Sequence, residues 1–289
     1  MAISQAKLDQ FIRDGLVVIE DVLSIDEVNT LKESCLQLVR EMDPKEHHGV
    51  FSTTSHNQAK DDYFLESGDK IRFFFEKDTV DEDTLELKLP KEDCLNKIGH
   101  ALHWLEPNFK KITFGSKMKD VASSIGLKKP VVVQGMYIFK QPRVGSEVTP
   151  HQDGTFLRND PLNLVGFWFP IDDATLENGC LWYIPGSHKL QVSRHFVRNP
   201  KKEMSDEPLM VFHGENPPFN DSAWVAAPVK KGSLVLIHGQ VLHKSEANNS
   251  TQPRHAYTFH MVETDGCQYS KNNWLQPTPE LPFPFLFEN

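Results

Sequence analysis

The chain has 289 residues, with 31 Lys and Arg against 40 Asp and Glu, for a formal net charge of −9. Phosphate-backbone affinity comes from clustered basic side chains, so this balance excludes a general nucleic-acid binder and leaves Lys110-Lys111, Lys128-Lys129, Lys201-Lys202 and Lys230-Lys231 as solvated surface. No apolar run approaches the roughly 18 to 20 residues of a membrane span, and the opening MAISQAKLDQFIRDG is not a signal peptide.

Leu8, Phe11 and Ile12 form an apolar stripe ahead of Gly15, which predicts a helix stopped by glycine, and Leu16-Val17-Val18-Ile19 reads as a strand. Ser24-Ile25-Asp26-Glu27 has the capping-box pattern. Val28, Leu31, Cys35, Leu38, Val39 and Met42 then recur at helical spacing until Pro44. Residues 43–66 read as a polar loop in which His47, His48 and His56 are surface histidines, because no carboxylate or thiolate stands at ligand spacing. The run from Lys70 to Phe75 is a strand candidate, followed by an acidic loop or hairpin through residue 86. Asn96 to Leu105 and Ser116 to Ile125 read as helices, the first carrying Lys97, His100 and His103.

From Val131 the texture changes. Short β-rich runs follow at Val131 to Phe139, Leu164 to Ile171, Cys180 to Ile184, Ser233 to His238 and His255 to Val262, with turn residues between them. Such a series implies a mainly β sandwich or barrel with flanking helices. The insertion from Leu190 to Ser222, rich in Pro, reads as a lid over a site. The tail from Pro277 to Pro284 is expected to pack extended along the outside. The length suits one domain: a helical cap with outer strands over about 1–130, a β core over about 131–265 and an extension over 266–289. Cys35, Cys94, Cys180 and Cys267 show no CxxC spacing, which fits free thiols in a cytoplasmic protein. A monomer acting on a small molecule, with no nucleic-acid or membrane partner, is the expectation.

The chemistry concentrates in Thr149-Pro150-His151-Gln152-Asp153. On an extended strand, residues two apart share a face, so His151 and Asp153 can take adjacent positions on one metal ion. A second His from a distant strand would complete a two-His, one-carboxylate face suited to Fe(II), with positions left for a keto acid and dioxygen. His243, ninety-two residues after His151, is the preferred candidate, with His238 and His260 nearby as the other choices. Arg254 follows His243 by eleven residues, and its fork matches the far carboxylate of 2-oxoglutarate. His188, His195, His213, His255 and His260 read as structural, His188 as a turn residue capping a neighbouring backbone.

The segments Met136-Tyr137-Ile138-Phe139-Lys140-Gln141-Pro142, His151-Gln152-Asp153, Glu177-Asn178-Gly179-Cys180-Leu181-Trp182, Pro185-Gly186-Ser187-His188 and Asn273-Trp274-Leu275-Gln276-Pro277 resemble the phytanoyl-CoA dioxygenase family. The resemblance extends over nearly the whole chain. It implies a double-stranded β-helix, the cupin-like jelly roll, with His151, Asp153 and His243 as iron ligands. It also implies that the cosubstrate 2-oxoglutarate contacts Lys97, Met136, Trp168, Ser245 and Arg254, with dioxygen as second cosubstrate. The implied activity is hydroxylation of a C–H bond in a small molecule, such as an acyl-CoA or related lipid, with release of succinate and carbon dioxide. The alternatives are a cupin-type metal enzyme needing no keto acid, and a non-catalytic acyl or CoA binder.

Overall fold

The computed structural model describes residues 2–47, 49–81, 84, 86–201 and 207–289, so the surface positions His48 and Lys202 lie outside the described residues. Eight strands form a major sheet in the order Leu16–Ile19, Leu234–His238, Leu164–Pro170, Ala256–Glu263, Pro130–Ile138, Leu95–His100, Ile71–Glu76 and Gly49–Phe51. Neighbours are antiparallel except the last pair. A minor sheet runs Val225–Ala227, Leu181–Tyr183, His243–Ser245, Val148–His151.

The two faces of the major sheet have different partners. On the outer face, Val17, Phe167, Phe169, Leu236, Tyr257 and Phe259 pack with Val28, Leu31, Cys35 and Val39 of helix Ile25–Glu41, Phe109 of helix Pro107–Thr113, and Met118 and Val121 of helix Ser116–Ser124. On the inner face, Trp168, Val235, Ile237 and Ala256 meet Leu181, Tyr183 and Ala227 of the minor sheet. A sheet covered on both sides reads as an unbroken apolar run, and every residue of Leu164–Pro170 is buried. The architecture is the expected double-stranded β-helix with flanking helices. The capping box is present as well: Ser24 Oγ accepts from the Glu27 amide at 3.1 Å, and Glu27 accepts from the Ser24 amide at 2.8 Å.

The segment Asn96 to Leu105 corrects a sequence expectation. It is a strand, Leu95–His100, followed by a single helical turn, Leu102–Leu105. Leu95, Ile98 and Leu102 are spaced like a helical stripe, but pairing with Ile71–Glu76 on one side and Pro130–Ile138 on the other decides the backbone. The Pro-rich insertion contains an ordered hairpin, His195–Arg198 against Met210–His213. Its Phe196 and Met210 join Phe64, Leu157 and Trp274 in a cluster at one end of the barrel. His188 has the capping role expected of it. Its Nε2 meets the Ile12 carbonyl at 3.1 Å, and its ring fills the space a side chain at Gly15 would need, so the first helix docks closely on the turn.

The C-terminal tail takes part in the sheet. Along Pro130–Ile138, Leu95–His100 pairs with Tyr137 and Ile138 alone, so among the strands described the first half of Pro130–Ile138 has no partner on that side. There the Val132 amide donates to the Pro284 carbonyl at 3.0 Å and the Leu286 amide donates to Pro130 at 2.9 Å. Leu286 is fully buried among the residues beneath the helices. Truncating it leaves a cavity, so Leu286→Ala should cost about 2–5 kcal/mol, read as a lower urea midpoint with an unchanged slope. An unshifted midpoint would mean the tail is not part of the core.

Candidate functional site

His151 ends strand Val148–His151 and stands in register with His243, the first residue of His243–Ser245. Asp153 does not continue the strand as expected but opens a 3-10 turn, Asp153–Thr155. Gln152 between them keeps extended angles, φ −113° and ψ 136°, so residues 151 and 153 still project to the same side. Each imidazole is oriented by a carbonyl two residues upstream: His151 Nδ1 lies 2.8 Å from Thr149 O and His243 Nδ1 lies 3.1 Å from Val241 O. With Nδ1 donating, Nε2 presents its lone pair.

Those two lone pairs meet one carboxylate oxygen. His151 Nε2 and His243 Nε2 stand 3.7 and 3.6 Å from Asp153 Oδ1, and the three donor atoms lie within 4.8 Å of one another. Both distances to Oδ1 are below twice a metal–nitrogen bond of roughly 2.1 Å, so one ion can bridge the set. Burial, then the neighbouring His151, pulls His243 down to about 4, and a neutral imidazole is the form that ligates. Burial pushes Asp153 up, but the facing His260 and His243 outweigh it and hold the carboxyl well below its usual range. Two imidazole nitrogens and one carboxylate oxygen fit a ferrous ion.

The other carboxylate oxygen exposes a residue that sequence reasoning assigned to structure alone. His260 Nε2 lies 3.2 Å from Asp153 Oδ2, and His260 Nδ1 is 3.1 Å from Gln134 Nε2. The approach to Oδ2 is out of line for a hydrogen bond, so the tie is a close polar contact. Gly166 pairs with His260 on the adjacent strand, and a Cβ there would stand 3.1 Å from Oδ2. The signal for His260 was available in the sequence. It lies at the same strand parity as Arg254, and alternate residues of a strand face one side.

The five residues expected to contact 2-oxoglutarate fall into two groups. Lys97 and Met136 line a cavity of about 190 Å3 together with His151, Asp153 and His260, whereas Trp168, Ser245 and Arg254 are not on its wall. Met136 and Trp168 nevertheless share one row across the sheet, both paired with Thr258. Ser245 is buried two residues beyond His243. Arg254 Cζ sits 5.4 Å from the Trp168 ring, Nε donates to the Gly179 carbonyl at 3.1 Å, and Nη1 is buried without a hydrogen-bond partner among the described residues. An unpaired buried donor of this kind costs about 1–3 kcal/mol or more. A carboxylate brought by a cosubstrate would satisfy it, which is the fit expected for 2-oxoglutarate.

Residues 11–256 match the family described as Phytanoyl-CoA dioxygenase (PhyH). The chain belongs to the phytanoyl-CoA dioxygenase family. It is 50% identical over 291 residues to phytanoyl-CoA dioxygenase domain-containing protein 1 of Bos taurus, covering 99% of each chain, and 49% identical over 284 residues to the Caenorhabditis elegans homolog, covering 97% of this chain and 98% of that one. Among solved structures, the fold is similar to the non-heme alpha-ketoglutarate-dependent carbocyclase SnoK, with a TM-score of 0.64, 18% identity and coverage of 98% and 96%. It is also similar to EctD of S. alaskensis with 2-oxoglutarate and 5-hydroxyectoine, with a TM-score of 0.59, 19% identity and coverage of 90% and 76%. The phytanoyl-CoA dioxygenases are Fe(II)- and 2-oxoglutarate-dependent, and the His-x-Asp and distal His of that chemistry are the residues gathered here.

Two predictions follow from the geometry. His260→Ala should weaken Fe(II) or Co(II) binding about tenfold by freeing Oδ2, measured by metal titration; unchanged affinity would leave His260 a packing residue. Lys97 sits over the rings of Phe51, Phe64 and Phe74 at 3.4, 5.2 and 5.4 Å, and burial pulls it down to about 7. A lysine whose folded pKa is depressed penalises the fold fully below that value, and the penalty fades as pH rises toward its unfolded pKa. Lys97→Met should therefore stabilise the metal-free protein by roughly 3 kcal/mol near pH 6, with the advantage shrinking as pH rises above 7. A pH-independent difference in urea midpoint would contradict the assignment.

Proposed function

We propose that this dioxygenase hydroxylates a C–H bond of a small organic substrate, with one oxygen atom of O2 going to the substrate and the other to succinate as 2-oxoglutarate loses carbon dioxide. The observation that carries the reading is the pairing of a metal-ready triad with a buried, unsatisfied Arg254 Nη1. A cupin-type metal enzyme without a keto acid would bring no carboxylate to that nitrogen, and a non-catalytic acyl or CoA binder would have no use for the intact ligand set. Ferrous iron and 2-oxoglutarate, when bound, supply the oxidising chemistry.

The protein's own residues bind, orient and exclude. His151, Asp153 and His243 hold the metal from one side, each imidazole fixed by its backbone carbonyl. Arg254 takes the far carboxylate of 2-oxoglutarate, its guanidinium held beside Trp168 and braced by the Gly179 carbonyl. Ser245 adds a hydroxyl to that group, and Met136 supplies apolar wall. Lys97 offers its ammonium to the cosubstrate from the cavity, where aromatic rings exclude water and strengthen each polar contact. Four free cysteines, three of them buried, fit a reducing compartment, and we place the activity in the cytoplasm, carried by a monomer.

Purified protein given Fe(II), 2-oxoglutarate and oxygen should form succinate slowly without any prime substrate, and His151→Ala should abolish it. Absence of succinate together with no 2-oxoglutarate-dependent change in the anaerobic iron spectrum would sink the oxygenase reading. Arg254→Lys should weaken 2-oxoglutarate at least tenfold, because a point charge replaces the bidentate fork. Undiminished affinity in that variant would remove Arg254 from the site.

A further inference from the structure

The cavity beside the triad is walled on one side by the insertion hairpin, and its chemistry is ordered from the metal ligands outward. The His151 ring lies 5.9 Å from Phe156, and Phe156 lies 5.8 Å from Phe196 and 6.2 Å from Phe212, which are themselves 4.6 Å apart. At the far end of this aromatic run, Arg194 Cζ sits 3.9 Å over the Phe212 ring, and the His56 ring lies 4.8 Å from the same ring. Both side chains line the cavity. Neither has an ion pair or a side-chain hydrogen bond among the described residues, and Glu215 influences Arg194 only from beyond ion-pair distance.

Arg194 and His56 are each half-buried, so water only partly takes the place of a ligand. Burial lowers the pKa of Arg194, and burial together with the Arg194 charge lowers that of His56. The cation–π contact offsets part of the cost of Arg194 and supplies no counter-charge. None of the three acids on the cavity wall supplies one: Asp153 faces His151, His243 and His260. Glu76 accepts from the Ser146 amide at 3.1 Å and from its hydroxyl at 2.6 Å, and Glu147 is exposed with no ion pair to Arg194.

We propose that Arg194, flanked by His56, is an anion subsite for the prime substrate, which is therefore an amphiphile: one carboxylate or phosphate held at the hairpin and an apolar chain laid along Phe212, Phe196 and Phe156 toward His151. The inference rests on the oxygenase reading for the chemistry at the inner end. The outer end depends only on the hairpin and its unpaired cation. It gives the Pro-rich insertion a function in specificity, since Arg194 immediately precedes the hairpin arm that carries Phe196, and Phe212 stands on the other arm.

Binding of decanoate, decyl phosphate and decanol to protein loaded with Fe(II) and 2-oxoglutarate under anaerobic conditions tests this directly by calorimetry. At least one anion should bind ten or more times tighter than decanol, and the tighter of the two identifies the headgroup. Arg194→Gln should reduce that preference to less than about threefold while leaving decanol and 2-oxoglutarate affinities unchanged, and Arg194→Lys should retain part of it. Equal binding of all three ligands, no binding of either anion, or an undiminished preference in Arg194→Gln would overturn the subsite. The anaerobic iron spectrum of the same samples reports the cosubstrate site separately, so a lost 2-oxoglutarate response would indict the oxygenase reading and an intact one would confine the failure to Arg194.

Discussion

The Asp153 carboxylate is the point on which the inner structure depends. Its two oxygens have separate tasks: Oδ1 faces the Nε2 atoms of His151 and His243, and Oδ2 faces His260. Both sheets supply these partners, and the side chain missing at Gly166 makes the room. A buried carboxylate is tolerable only where cations, donors or a metal surround it. The register between His243 and His151, and that between Gly166 and His260, are therefore fixed by electrostatics as well as by apolar packing.

The same strands that form the site also form the core. On Pro130–Ile138, Leu164–Pro170 and Ala256–Glu263, the residues Gln134, Met136, Trp168, Thr258 and His260 share the inner side of the rows, while Tyr137, Phe167, Phe169, Tyr257 and Phe259 pack outward under the helices. A one-residue slip would exchange the two sets. Function and stability are thus opposite faces of one register, and unpaired groups such as Lys97 and Arg254 Nη1 are carried by the apolar packing behind them.

The legible parts of the sequence were those where chemistry is local. His151-x-Asp153 needs only strand parity, and the β-rich runs after residue 130 announce themselves by composition. The helix misread at Asn96 to Leu105 failed because a strand buried on both faces loses its alternation. His260 escaped because nothing adjacent to it in sequence shares its role; its partners Asp153 and Gln134 lie on other elements. The hairpin within the insertion escaped for a related reason. Its arms are four residues each, and the aromatic contacts that give it meaning are with Phe156 and the cavity rather than with its own neighbours.

The order of strands in the major sheet also sets the timing of assembly on the ribosome. Leu16–Ile19 emerges early, yet its partner in the sheet is Leu234–His238. The open half of Pro130–Ile138 waits longer still, until Pro284 and Leu286 leave the tunnel. Loop closure over such separations is slow, and neither edge can be sealed by structure made in between. Until those distant segments meet, each of the two strands keeps a row of unpaired backbone groups along one side, the feature by which sheet edges recruit other chains.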